Sequence, residues 1–188
     1  TFVLPRVEGD DARMIQMVAD AIKAVYASVY FKSSKTYLEA TQNVIDAERM
    51  AIILQEVCGT GYGNRFYPTV SGVARSINFY PIGKETPEDG IAHVAFGLGK
   101  LIVEGGNGLR FSPRYPTKIL QLSTVESTLR DTQREFYALD LEADHFQASV
   151  DDGINLLKLS IRDAEKDPAL RMVASVYDRD NQMIRDQY

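Results

Sequence analysis

The segment Gly90–Gly106, GIAHVAFGLGKLIVEGG, places an apolar strand, a Gly-x-Gly corner and a short apolar helix in direct succession. At the corner, Gly97-Leu98-Gly99-Lys100, backbone N–H groups at the helix start favour an anion, and Lys100 adds a positive charge. The spacing matches neither the dinucleotide fingerprint nor the phosphate loop. Two interpretations stay open, a phosphate-related site and a tight packing turn.

Apolar periodicity predicts a helix over about 12–31, capped by Asp10 or Asp11. Its stripe recurs with the helical repeat at Met14, Val18, Ile22, Val25 and Val29. Asp20 and Lys23, three residues apart, are expected to pair beside that stripe. A weaker pattern predicts a second helix over about 35–48, and core packing is the expected role of both helices.

The middle of the chain has the composition of strands and turns. Met50–Val57 begins with five apolar residues and is predicted to be a strand buried on both faces. The glycine-rich stretch CGTGYGNRFYP after it predicts a mobile turn or flap. Residues 69–80 alternate like a strand paired antiparallel to Met50–Val57. A polar loop over 81–90 then leads into a strand at about 91–96.

Prolines exclude a helix from residues 107–116, which are predicted to be extended and rich in turns. Ser123 and Glu126 have the spacing of a helix capping box. Leu157, Leu159 and Ile161 alternate inward in a predicted strand that ends before a turn at Asp167-Pro168. The last residues predict a strand and hairpin with Asp-Asn at its turn. This mixture of helices and antiparallel strands favours an α+β fold.

Composition excludes several classes of protein. The chain has 188 residues, enough for one domain or two small subdomains, and its net charge of −5 argues against a general nucleic-acid binder. The apolar runs are too short for a membrane span. Cys58 is the single cysteine, as expected in a reducing cytoplasm, and one cysteine with two histidines makes a zinc site improbable. The first residues lack a start Met and a signal peptide, so we expect an internal piece of a longer protein.

A few charged residues qualify as ligand contacts. Arg75 lies on a predicted strand among small residues, and it either points at a ligand or faces water as most edge-strand arginines do. The same alternatives apply to Arg110 and Arg114, which have aromatic neighbours. His93 is expected to be a buried, satisfied imidazole. The residues alone assemble no nucleophilic catalytic set.

Four segments, taken in order, resemble one enzyme family. MAIILQEV resembles the apolar strand ending in Gln-x-Met-Val of phosphoenolpyruvate synthase and pyruvate phosphate dikinase, and SGVARSINFYP is similar to that family's SGV-M-F-T…P strand. HVAFGLGKLIVEGG is similar to its W-GLGE-x-V-V-x-G segment, and AIKAVYASVYFKSSKTYL to its lead-in. The resemblance covers about residues 12–116. We therefore interpret 1–116 as part of the family's nucleotide-binding domain and 117–188 as its continuation or an insertion.

This resemblance implies an ATP-grasp domain, in which two α+β subdomains clamp ATP. In the family, phosphate passes from ATP to a histidine on a separate swivelling domain and then to pyruvate bound in a third domain. The implied partners are therefore ATP with Mg²⁺ and the phosphohistidine and pyruvate-binding domains of the parent chain. Nucleic acid and membrane are not expected as partners, and the expected location is the cytoplasm.

Carried over position by position, the resemblance implies nucleotide contacts at Gln55, Glu56, Val57, Ser71, Gly72, Arg75, Ser76, Gly97, Gly99, Lys100 and Arg110. Three departures stand among them. Val57 occupies the usual Met position, Lys100 replaces a Glu and so reverses a charge, and Arg75-Ser76 replaces Phe-Thr.

The family's metal-binding carboxylates lie in a D-I-E segment followed by Q-x-R-P, and neither sequence occurs between Thr117 and Tyr188. Its phosphate-contacting Lys and Arg would precede Thr1. We therefore expect the chain alone to hold no catalytic residue, to be inactive and to bind ATP weakly. Two alternatives stay open: a non-catalytic binding or regulatory module derived from the same scaffold, and an ATP-grasp ligase of another type.

Overall fold

The computed structural model describes residues 2–41, 51–142, 144, 147 and 155–186. They fall into two compact units, Thr1–Val57 with Leu139–Leu157, and Cys58–Ala138 with Lys158–Tyr188. Helices and antiparallel strand pairs occur together, which confirms the α+β class. No helix in the described part of the chain is both long and apolar enough to cross a membrane.

The first unit begins with two helices. Helix α1 spans Asp11–Ala27, a 3₁₀ turn follows at Ser28–Tyr30, and α2 spans Lys32–Thr41. Asp10 caps α1, because its carboxylate accepts a hydrogen bond of 2.9 Å from the N–H of Arg13. The first predicted helix is thus confirmed. The second helix begins at Lys32, earlier than the predicted start at about residue 35. The rest of its predicted range, 42–48, lies outside the described residues.

The predicted apolar stripe is half-buried, and the buried residues Met17 and Ala21 lie beside it on the same face of α1. Asp20 and Lys23 form the expected ion pair, with 3.2 Å between carboxylate and ammonium. Both groups are largely exposed, so this pair contributes little to stability.

The second unit contains a sheet with the strand order β1-β2-β6-β7. Strands β1 (Thr60–Tyr62) and β2 (Arg65–Tyr67) form an antiparallel hairpin. Gly63 takes the positive φ of 64° that this two-residue turn requires. The predicted flap is therefore a short hairpin. Strands β6 (Glu135–Asp140) and β7 (Leu156–Ser160) complete the sheet. The C-terminal end of β6 and the N-terminal end of β7 belong to the first unit.

A second sheet has the order β3-β4-β5. Strand β4 (Ile91–Ala95) lies in the centre and pairs antiparallel with β3 (Ser71–Arg75) and β5 (Leu109–Phe111). The loop between β3 and β4 contains a 3₁₀ turn at Pro87–Asp89. After β4 the chain passes the glycine corner and enters α3 (Lys100–Val103), as the sequence predicts.

The remaining elements are short. They are a 3₁₀ turn at Leu120–Leu122, α4 (Val125–Asp131), a 3₁₀ turn at Ile161–Ala164, α5 (Pro168–Val173), β8 (Val176–Asp178) and β9 (Met183–Arg185). Strands β8 and β9 form the predicted antiparallel hairpin.

The predicted buried strand at Met50–Val57 is wrong for the residues that are described. Residues 51–57 form no strand, and Ile53 and Leu54 are 81% and 69% exposed. A continuous apolar run has no alternation to specify a partner, so only tertiary contacts decide whether it pairs. The expected pairing of the next strand is wrong as well, because β3 pairs with β4.

Two smaller predictions also need correction, and one strand was missed. Thr124, not Ser123, caps α4, because its hydroxyl accepts the N–H of Ser127 at 3.1 Å. Strand β6 was not predicted. Asp167-Pro168 is the start of α5 and not a simple turn, which agrees with the preference of Pro for the first helical position.

An aromatic cluster forms the core of the second unit. Tyr67, Phe96 and Phe136 contact one another edge to face, with ring centroids 4.9–5.3 Å apart. Tyr62 covers Tyr67 at 4.9 Å. Tyr67 and Phe136 are fully buried, so the cluster combines a large buried apolar area with favourable ring geometry.

One buried hydrogen bond ties this cluster to α5. The phenol of Tyr67 donates to the carboxylate of Asp167 at 2.5 Å. That carboxylate also pairs with the guanidinium of Arg65 at 3.1 Å, and Arg65 donates to the backbone carbonyl of Asp163 at 2.8 Å. Burial, followed by the bond to Asp167, raises the pKa of Tyr67 well above its ordinary value.

We predict that Tyr67→Phe lowers the free energy of unfolding by about 1.5–3 kcal/mol, because it removes a buried hydrogen bond to a charged group. Tyr62→Phe is the matched control: its ring lies in the same cluster, and its hydroxyl bonds to no described residue. Urea denaturation measures both variants, and equal losses would contradict the role given to Tyr67.

The difference in stability between the wild-type protein and Tyr67→Phe depends on pH. The raised pKa of Tyr67 means that its stabilisation is complete below about pH 10, the ordinary tyrosine value, and is lost as the pH rises towards the pKa in the folded protein. The stability difference between wild type and Tyr67→Phe should therefore shrink above pH 10. A difference that stays constant between pH 9 and 11 would be evidence against the raised pKa.

Candidate functional site

The glycine corner after β4 packs tightly against β6. Gly97 has a φ of 84°, and a Cβ atom there would lie 2.9 Å from the side chain of Phe136. The N–H of Leu98 donates to the carbonyl of Tyr137 at 2.9 Å, and the hydroxyl of Ser71 donates to the carbonyl of Gly97 at 2.5 Å. The corner thus links β3 to β6.

The polar groups around α3 pair with one another. Lys100 pairs with Glu104 at 3.1 Å and lies 5.9 Å from the ring centroid of Tyr137. The phenol of Tyr137 donates to Glu104 at 2.7 Å, and this bond, followed by the one from Lys100, lowers the pKa of the Glu104 carboxyl. The bond to Glu104 in turn raises the pKa of Tyr137. These contacts favour the packing-turn interpretation of the corner itself.

The sheet β3-β4-β5 brings two predicted contact residues to one face. Residues directly opposite in an antiparallel pair point to the same side, as do alternate residues of one strand. Arg75 lies opposite Ile91, and Arg110 lies opposite His93. Arg75, Ile91, His93 and Arg110 therefore share one face of this sheet, with an arginine on each outer strand.

A cleft of about 810 Å³ adjoins Ile91, His93 and Arg110. Residues 82–85, 106–108 and 117–123 supply most of its remaining lining. Small-molecule sites typically have volumes of about 300–1,000 Å³, so the cleft is large enough to hold a nucleotide. His93 is half-buried against this cleft, which corrects the expectation of a fully buried imidazole.

Arg110 is held in place at both its backbone and its side chain. Its N–H donates to the side-chain carbonyl of Gln121 at 2.8 Å, and the Gln121 amide donates to the carbonyl of Gly108 at 2.8 Å. The guanidinium donates to the side-chain oxygen of Asn78 at 3.5 Å and lies 6.0 Å from the ring centroid of Tyr80. Gln121 thus acts as a substitute strand neighbour for β5.

The other predicted contacts are dispersed. Gln55, Glu56 and Val57 are exposed, lack regular structure and belong to the first unit. Ser76 follows β3 and is exposed. At Gly72 a Cβ atom would lie 2.9 Å from the Cα of Val94, so glycine permits close approach of β3 to β4.

Two further positions have structural roles nearby. Gly99 packs against Ser71, whose hydroxyl oxygen would lie 3.7 Å from a Cβ atom added there. Arg114 is exposed and pairs with Asp89 at 3.5 Å, outside the cleft lining.

Sequence reasoning missed the lysines of the cleft, Lys84 and Lys118, and the amides Asn78 and Gln121. It also overlooked that Asp140-Leu141-Glu142 retains the carboxylate spacing of D-I-E, with Leu in the place of Ile. A motif search that allowed this substitution would have found the pair. The described residues contain no cluster of three or more potential metal-ligating His, Cys, Asp or Glu side chains.

Comparison with known families gives one result. The family model described as pyruvate phosphate dikinase, AMP/ATP-binding domain, matches residues 11–177. This range covers most of the chain, includes all the predicted contact residues and continues past residue 116. Searches of curated proteins and of solved structures gave no match.

We predict that Gly97→Ala destabilises the protein by more than Gly105→Ala does. Both glycines have positive φ, 84° and 77°, so each substitution costs about 1–2 kcal/mol of backbone strain. Only Gly97 adds steric overlap, expected to cost about a further 1–3 kcal/mol, because a Cβ atom at Gly105 has nothing within 4 Å. Urea denaturation compares them, and equal losses would show that the corner is not tightly packed.

Proposed function

This chain belongs to the pyruvate phosphate dikinase AMP/ATP-binding domain family. We therefore propose that it is the ATP-binding region of a phosphoenolpyruvate synthase-like phosphotransferase. In this proposal, phosphate passes from ATP to a histidine on another domain of the parent protein and then to pyruvate. The observation that carries it is the family match over residues 11–177. Arg110, which lines a nucleotide-sized cleft, supports it, and Arg75 lies on the same face of the sheet but outside the lining of the cleft.

Phosphoryl transfer depends mostly on positioning and on charge neutralisation, and arginine suits both requirements. Its planar guanidinium donates paired hydrogen bonds to phosphate oxygens. Arg110 and Arg75 are therefore the proposed nucleotide-contacting cations. Gly72, Gly97 and Gly99 have the proposed role of holding the sheet and its corner together.

Mg²⁺ is proposed as the companion of ATP, because it neutralises phosphate charge during transfer. Mg²⁺ commonly binds through one or two carboxylates together with substrate phosphates, so a larger protein cluster is not required. The carboxylate spacing of Asp140 and Glu142 matches that of the family's metal-binding segment, and the N–H of Glu142 donates to the Asp140 carboxylate at 3.0 Å.

A non-catalytic binding module is the second candidate. Lys100 in the place of the family's Glu favours it, because the ammonium is already paired with Glu104 and stacked near Tyr137. On this alternative the scaffold is retained for ligand binding or regulation without phosphoryl transfer.

We predict that Arg75→Ala and Arg110→Ala in the full-length protein each raise the KM for ATP about ten- to a hundredfold. The loss of one charged hydrogen bond, worth about 1.5–3 kcal/mol, gives this range. Arg179→Ala is the control, since Arg179 is exposed in the turn between β8 and β9. If all three variants keep the wild-type KM, Arg75 and Arg110 are ordinary surface residues. A full-length protein that binds ATP and transfers no phosphate would favour the binding module.

We also predict that the 188-residue chain on its own has no phosphotransferase activity and binds Mg-ATP weakly. The segment from Thr117 to Tyr188 lacks Q-x-R-P, and the proposed phosphate acceptor is on another domain. Isothermal titration calorimetry measures the affinity, and a micromolar Kd for the chain alone would contradict the prediction.

A further inference from the structure

We propose that the cleft beside β4 and β5 binds the polyphosphate chain of the nucleotide, with Lys84, Arg110 and Lys118 as its cationic contacts. This inference rests on the proposed function for the identity of the nucleotide. It adds two lysines to the site and assigns the phosphate end of the ligand to this cleft.

The charge of the lining is opposite in sign to that of the chain. Three cationic residues, Lys84, Arg110 and Lys118, line the cleft together with a single acidic residue, Glu85, while the whole chain has a net charge of −5. Lys84 and Lys118 form no ion pair with another described residue. A local positive potential on an acidic protein favours an anionic ligand over solvent.

The acidic residue of the lining, Glu85, has its carboxylate engaged within its own loop. One oxygen accepts the side-chain amide of Asn78 and the N–H of Ile82, each at 3.0 Å. These two bonds draw the carboxylate towards the loop backbone.

Asn78 connects this loop to Arg110. It is fully buried, and while its amide nitrogen donates to Glu85, its oxygen accepts from the N–H of Tyr80 at 3.1 Å and from the guanidinium of Arg110 at 3.5 Å. One buried side chain therefore positions both the loop that bears Lys84 and the guanidinium. A phosphate that enters the cleft meets an oriented cation, which reduces the entropy lost on binding.

The rest of the lining strengthens these charges. Ile82, Ile91 and Ile119 contribute apolar surface, and Tyr115 lies beneath Lys118, with 5.6 Å between ring centroid and ammonium. Charges at the border of an apolar wall are less screened than charges in open water, so each cation attracts phosphate more strongly. Three cations around one cleft suit a chain of several phosphates better than a single carboxylate.

The test compares two double variants of the full-length protein. Lys84→Ala/Lys118→Ala removes both lysines of the cleft, and Lys35→Ala/Lys166→Ala removes two exposed lysines elsewhere with the same change in net charge. Calorimetry measures the affinity of each protein for Mg-ATP, for inorganic tripolyphosphate and for adenosine.

We expect the cleft variant to bind Mg-ATP and tripolyphosphate about tenfold more weakly or worse and adenosine within twofold of wild type, while the control variant matches wild type. If the wild-type protein binds Mg-ATP, and the cleft and control variants bind Mg-ATP and tripolyphosphate with equal affinity, the assignment is overturned. The proposed function is then left intact. Tripolyphosphate binding that depends on the cleft, without ATP binding, supports the anion site and contradicts the proposed function. Adenosine binding that falls as far as that of tripolyphosphate also overturns the assignment to the phosphate end.

Discussion

The hydrogen bond between Tyr67 and Asp167 is the constraint on which the second unit depends. It joins a hairpin near residue 60 to the start of α5, one hundred positions further along the chain. Because the phenol is fully buried, its hydroxyl needs a partner inside the protein, and among the described residues that partner is the Asp167 carboxylate. Phe96, the residue before the glycine corner, belongs to the same cluster, so the end of β4 is anchored to this bond.

Side-chain amides extend this anchoring where backbone pairing stops. Gln133 accepts the N–H of Phe96 and donates back to its carbonyl, each at 2.9 Å, as a paired strand would do. Gln121 does the same for β5, and Asn78 organises the loop beside the cleft. The face that carries Arg75 and Arg110 is therefore supported at the end of β4, along β5 and at the loop.

The sequence correctly predicted those elements whose structure is determined by interactions between residues close together in the chain. Helix α1 has a stripe and a cap, β4 has an apolar core, and the corner has glycines, so each was found close to its observed position. Residues 51–57 were misjudged because the burial of an apolar run depends on partners that the run does not encode. The cleft was missed for a related reason: Lys84 and Lys118 lie in separate polar loops, and only the register of β3, β4 and β5 brings them near Arg110.

The amide of Gln121 also affects how this protein behaves among its own copies. An outer strand with open backbone groups is a template on which a second chain can add a strand, and such additions lead to aggregation. On β5, the N–H of Arg110 already has a partner in Gln121, and so does the neighbouring carbonyl of Gly108. The side chain of Gln121 thereby occupies two of the backbone groups that an added strand would need along the border next to the cleft.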